Sequence, residues 1–191
     1  MLLKIAVVVM LILGGLAGFV ATRPAEFRVT RSRTVTAPPD VVHAYVSDFA
    51  KWPAWSPWEK LDPAMKREIS TVSGGTGALY HWSGNKEVGE GRMTITDSRP
   101  GQSVTIRLEF IKPWSATSTT RFDLTPDGSG TNVTWTMSGR NNFVGKAVCL
   151  FMNMDKTVGG DFEKGLASLD TVTAAAARAE APANTTALPA S

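Results

Sequence analysis

Two histidines, one cysteine and one carboxylate set in an apolar helical stripe are the groups in this 191-residue sequence best placed to carry chemistry. The carboxylate is Asp155. Val148, Phe151, Asp155, Val158 and Phe162 follow one another at steps of three and four, the spacing of a single helix face. The positions three and four away hold Phe151, Met152, Val158 and Gly159, so no local base can neutralise it. A carboxylate facing an apolar interior must be protonated, paired across the space, or hydrated within a cavity. On that reading His81, Tyr80, Arg107 or a tryptophan N–H is the partner on offer. The other reading rotates the helix slightly, with Met154 inward and Asp155 on the rim. Asp155 or His81 could serve as a general acid or base on a bound molecule, which requires a shifted pKa and a proton partner within about 3 Å. The sequence shows neither, and no catalytic residue is assigned.

Other chemistries lack their apparatus. No Cys or carboxylate stands beside His43 or His81 at metal-ligand spacing, so no metal site is expected. Gly74-Gly-Thr-Gly77 lacks the lysine and helix of a phosphate-cradling loop. Cys149, among Val148, Leu150 and Phe151, reads as a small buried hydrophobe rather than a nucleophile, and being alone it excludes an internal disulfide. No cofactor is implied. The net charge of +3, from 20 Lys and Arg against 17 Asp and Glu, is spread without a basic cluster, which argues against a nucleic-acid partner.

Aromatic side chains are the second signal, and they point to the elements that carry them. Tyr80 and Trp82 share one face of a predicted strand, Trp135 lies on another, and Phe110, Phe122, Phe151 and Phe162 are available to the same interior. Period-two alternation predicts strands over 27–35, 65–70, 78–83, 88–97, 104–110, 117–124 and 132–138. Short connections such as Pro126-Asp-Gly-Ser-Gly130 make most of this an antiparallel meander with one apolar face. Pro38-Pro39-Asp40 opens a helix through Val42, Val46 and Phe49, and Trp52-Pro-Ala-Trp-Ser-Pro-Trp58 makes a corner. From about 143 to 169 the period becomes that of one long helix, interrupted by Gly159-Gly160. A meander with one greasy face and one long helix buries both by curling the sheet around the helix.

The ends lie outside this unit. Residues 1–22 contain a stretch, Leu2 to Ala21, carrying only the charge of Lys4, and twenty residues at about 1.5 Å each match the ~30 Å of a bilayer core. The expectation is a single-pass membrane anchor, or an uncleaved signal, because the sites for cleavage each pair a small residue with a bulky one. Arg23, Arg28, Arg31 and Arg33 against Lys4 lean toward a cytoplasmic soluble domain by the positive-inside rule, but arginines folded into a strand are poor topological signals, and the side stays open. Residues 171–191 hold nine alanines and two prolines and are expected to form a disordered tail beyond a helical extension to about Glu180.

Taken with the order of elements, Thr36-Ala-Pro-Pro-Asp40, the Asp48 to Glu59 stretch with Trp55-Ser-Pro-Trp58, Tyr80-His-Trp82, Gly84-Asn85, and a last helix with Asn153-Met-Asp155, Gly159 and Asp161-Phe162-Glu163 resemble the START-like or SRPBCC superfamily of polyketide cyclase/dehydrase-like proteins. The resemblance covers residues 27–170. It implies an α+β helix-grip fold, a curved antiparallel sheet wrapped around a long C-terminal helix with a hydrophobic cavity between them, here preceded by one transmembrane helix. The expected function is a membrane-anchored module that holds or transfers a lipid, quinone or polyketide-like molecule, with Tyr80, His81, Trp82, Phe110, Trp135, Phe151, Asp155 and Phe162 as the ligand-binding residues. Two alternatives stand beside it: a cyclase or dehydratase using Asp155 or His81, and a filled-core module that binds a protein partner the sequence does not identify.

Overall fold

The computed structural model describes residues 1–151, the Phe151 side chain excepted, and 153–180. Expectations about the Phe151 contact and the tail beyond Glu180 therefore lie outside the described residues. Seven strands form one antiparallel sheet: β1 (Glu26–Val35), β2 (Lys66–Ile69), β3 (Leu79–Ser83), β4 (Glu90–Arg99), β5 (Ser103–Lys112), β6 (Ala116–Asp127) and β7 (Gly130–Arg140). Their order is β1-β7-β6-β5-β4-β3-β2, a meander of six with the first strand added beside the last. Gly101 (φ 64°) and Gly128 (φ 59°) take the left-handed conformation that the β4–β5 and β6–β7 turns demand. Register shifts in the β4–β5 ladder, at Glu90/Gly91 and Ile95/Asp97, add the local bending a curved sheet requires.

Among the described residues, four α-helices complete the fold, α1 (Leu2–Thr22), α2 (Pro39–Val46), α3 (Phe143–Phe151) and α4 (Met154–Glu180), with two 3₁₀ turns at Phe49–Ala54 and Pro57–Lys60. Pro39 sits in the first turn of α2, where its missing N–H costs nothing, and Val42 and Val46 are buried. The 27 residues of α4 run about 40 Å along the inner face of the sheet, burying Phe162, Leu166 and Leu169. Small residues let it come close: a side chain at Gly165 would strike Trp135 and Pro57, and one at Gly159 would strike the Arg31 guanidinium. The structure is thus the expected helix-grip arrangement.

One expectation needs correcting. The single helix predicted from 143 to 169 is two helices. Asn142 caps α3, its Oδ1 accepting the Gly145 N–H at 2.8 Å, and Asn153 caps α4, its Oδ1 accepting from Lys156 at 3.0 Å. A new cap resets the helical phase, so the apolar stripe of α3 does not run on into α4. Instead α3 lies beside α1, where Lys146 Nζ donates to the Ala21 carbonyl at 3.1 Å, and its Phe143 and Val144 are exposed. The chain also stays helical past 170, with Thr173 fully buried and its hydroxyl donating to the Leu169 carbonyl.

The register defines a common end of the domain. Glu26 faces Arg140, Phe110 faces Ala116, and Glu90 faces both Ser83 and Lys112, so the start of β1, the end of β7 and the β3–β4 and β5–β6 hairpins all lie there. α1 enters at that end, and α3 leaves from it. α1 is long and apolar enough to cross a membrane, with mean hydropathy 2.5, and all its side chains but Val20 are exposed.

Candidate functional site: an apolar cavity with one buried carboxylate

Between α4 and the sheet lies a cavity of about 250 Å³. Strand alternation supplies most of its wall: Tyr80 and Trp82 from β3, Met93 from β4, Leu108 and Phe110 from β5, and Trp135 and Met137 from β7. α4 closes one side with Met154, Val158 and Phe162, and Trp52 and Trp58 of the tryptophan corner close another. The wall reaches the surface at the β3–β4 hairpin, where Glu87 is exposed and Val88 half-buried.

The aromatic rings hold one another in place. Trp135 stacks on Phe162 with centroids 4.1 Å apart and planes 5° from parallel, Trp58 stands edge-on to Trp135 at 5.7 Å, and Trp82 meets Phe110 edge-on at 6.1 Å. Such pairs add about 0.5–1.5 kcal/mol each beyond their buried area. Trp52 and Trp55 anchor their indole N–H groups on the Val46 and Tyr45 carbonyls, pinning the corner beneath α2 as its prolines suggested. Trp52 also faces the cavity.

Of the eight ligand-binding residues expected from sequence, Tyr80, Trp82, Phe110, Trp135 and Phe162 line this cavity. His81 and Asp155 do not. The alternation that turns Tyr80 and Trp82 inward turns His81 outward, where its Nδ1 lies 3.9 Å from Glu68 and its Nε2 3.7 Å from Glu90. Asp155 stands in the first turn of α4 with its side chain 63% exposed, while its neighbour Met154 faces the cavity. Its partner comes from β1: the Arg31 guanidinium donates to Asp155 Oδ1 at 3.0 Å and Oδ2 at 3.1 Å, to the Asp155 carbonyl, and to Glu163 at 2.7 Å. Hydrogen bonding to Arg31 holds the Asp155 carboxyl below its ordinary pKa, and the same contacts raise that of Arg31. This is the rim reading of Asp155, and it explains Gly159, since only a residue without a side chain leaves room for Arg31.

The sequence reading passed over the carboxylate that does reach the interior. Glu59, in a 3₁₀ turn at Pro57–Lys60, is 8% exposed and lines the cavity. Its Oε1 accepts the Tyr80 hydroxyl and its Oε2 accepts Arg67 Nε at 2.6 Å. Burial first, and the Glu59 carboxylate next, push the Tyr80 pKa well above the usual phenol value, so Tyr80 stays a donor at any physiological pH. Burial works against the charge on Arg67, but the charge and hydrogen bond of Glu59 outweigh it and raise its pKa. The remaining polar groups on the wall are Ser56, Thr120 and, at the mouth, Glu87. Trp135 Nε1 is buried with no hydrogen-bond partner among the described residues. Among the described residues no three His, Cys, Asp or Glu side chains gather as a metal ion would need.

Comparisons with known proteins agree with this architecture. Solved structures of similar fold include the di-domain ARO/CYC StfQ from the steffimycin biosynthetic pathway (TM-score 0.60, 12% identity, 81% of this chain and 52% of that one). Others are the Aha1 dimer from Colwellia psychrerythraea (TM-score 0.56, 15% identity, 77% and 96%) and Mll3558 from Rhizobium loti (TM-score 0.54, 23% identity, 76% and 99%). No curated protein matches the chain. The family model described as "Polyketide cyclase / dehydrase and lipid transport" matches residues 26–174, from the first residue of β1 into the last turns of α4, and the chain belongs to that family.

Proposed function

We propose that this protein is a membrane-anchored module that holds or transfers a hydrophobic small molecule, a lipid, quinone or polyketide-like ring system, in its internal cavity. The observation that carries this reading is the cavity itself: about 250 Å³ walled by aromatic and aliphatic side chains, with few polar groups and a wall that reaches the surface. Concave, mostly apolar sites with a small number of placed polar groups are what small-molecule binding uses. Affinity would come from apolar area removed from water, at roughly 25 cal/mol per Å² before the cost of immobilising the guest. Tyr80, Trp82, Phe110, Trp135 and Phe162 are the proposed contact surfaces. α1 is the proposed anchor, and it suits the cargo, because a molecule of this kind partitions into the bilayer beside the domain. Membership of a family described by cyclase, dehydrase and lipid transport supports the same ligand chemistry.

A cyclase or dehydratase would use the same cavity and need an acid or base on its wall. Glu59 hydrogen-bonded to Tyr80 is the pair available for that role, in place of Asp155 and His81. Native mass spectrometry and organic extraction of the full chain purified from membranes test the binding reading. A co-purifying apolar molecule is expected; a protein that stays empty and also ignores hydrophobic fluorescent probes sinks it.

A further inference from the structure

We propose that the guest carries a hydrogen-bond donor, a hydroxyl or N–H group on an otherwise apolar body, and that Glu59 accepts it. This rests on reading the cavity as a binding site. A carboxylate offers about four acceptor positions on its two oxygens and no donor when ionised. Among the described residues Glu59 uses one position for the Tyr80 hydroxyl and one for Arg67 Nε, which leaves acceptor capacity on a side chain that lines the cavity.

The partners of Glu59 fix what it can recognise. Arg67 sets its opposite charge against this buried carboxylate, 2.6 Å from Oε2. Tyr80 keeps its proton and spends it on Glu59, so its O–H is not free for a ligand. The pair therefore presents acceptance backed by negative charge. A phenol, alcohol or amine gains there, whereas a carboxylate or an ether oxygen is repelled. Ser56 and Thr120, whose hydroxyls can either donate or accept, impose no such choice on the rest of the guest. The inferred ligand class is thus apolar molecules that bring a hydroxyl or amino group to Glu59, whereas the Trp135 N–H, a donor only and without a partner among the described residues, sets no such demand.

The test compares 2-naphthol with 2-methoxynaphthalene, which keep one ring system and differ in the donor. Each is titrated calorimetrically into the full chain in detergent micelles and corrected by titration into protein-free micelles. 2-Naphthol is expected to bind about tenfold tighter or more, as a hydrogen bond to a charged group allows. Glu59→Gln should shrink the preference to less than threefold, while Tyr80→Phe, which frees a further acceptor position, should keep it. Equal affinity of the wild-type chain for both probes overturns this inference and leaves the binding reading standing. Binding of neither probe overturns both. The wild-type comparison decides the matter even if Glu59→Gln does not fold.

Discussion

At the scale of single residues, the charged groups around Asp155 and around Glu59 do different work. Asp155 belongs to a surface tie between α4 and β1, and Glu59 belongs to the interior. Asp155→Asn is therefore expected to leave probe affinity within about twofold of wild type in the same titrations. A larger loss would mean that the rim tie shapes the cavity. His43 supplies a separate prediction. It sits in α2 with Nε2 3.1 Å from Ser98 Oγ, and burial lowers its pKa despite the nearby Asp40 charge. A group whose pKa is depressed on folding binds more protons when unfolded, so its contribution is intact above the unfolded value of about 6.5 and is lost as pH falls through the native one. Melting temperature should fall between pH 7.5 and pH 5.5, and less steeply in His43→Gln; identical slopes would exclude this histidine as the cause. Legibility differed between the two carboxylates for a physical reason. Spacing on one helix carries information about neighbours three and four residues away, and the partner of Asp155 is 124 residues distant. Glu59 stands in a corner without periodicity, and Ser56-Pro-Trp-Glu59 even has the spacing of a capping box, which would place Glu59 at the surface.

Among the elements, the meander was legible in the alternation of β4, β5 and β7, because a half-buried strand must repeat with period two. The same rule, applied to Tyr80-His81-Trp82, already separates His81 from its neighbours. The break between α3 and α4 was less legible, since Asn153 lies within an otherwise helical run and its capping role shows only in the hydrogen bond it makes. The structure divides the glycines of α4. Gly159 and Gly165 are close-approach positions, whereas nothing lies within 4 Å of where a side chain would start at Gly160. Gly165→Val is expected to destabilise the fold by about 1–3 kcal/mol through overpacking against Trp135 and Pro57. Gly160→Ala should stabilise it by roughly 0.5–1 kcal/mol, because alanine loses less backbone entropy in a helix. Urea denaturation of the three proteins checks both signs, and a destabilised Gly160→Ala would mean that the helix needs flexibility there.

For the whole molecule, the short link between α1 and β1 has the largest consequence. Only Arg23, Pro24 and Ala25 separate Thr22 from Glu26, and an extended chain of that length spans about 14 Å at most. If α1 crosses a bilayer, the end of the domain where β1 begins must lie against the lipid surface. That end carries exposed Ile111 and Trp114 on the β5–β6 hairpin, exposed Phe143 and Val144 on α3, and the cavity mouth by the β3–β4 hairpin. Tryptophan favours the interface between headgroups and acyl chains, so Trp114, 63% exposed, would enter it and a guest could pass between bilayer and cavity without crossing water. The other five tryptophans are buried or half-buried, which makes the arrangement measurable. In proteoliposomes made with lipids brominated near the top of the acyl chain, part of the tryptophan fluorescence should be quenched, and Trp114→Phe should remove that part. Quenching that survives Trp114→Phe would turn a different face toward the membrane, and a protein that loses residues 1–22 on maturation and no longer associates with vesicles would make α1 a signal instead of an anchor. Because the link is equally short on either side of the bilayer, the expected quenching does not depend on which side the domain occupies.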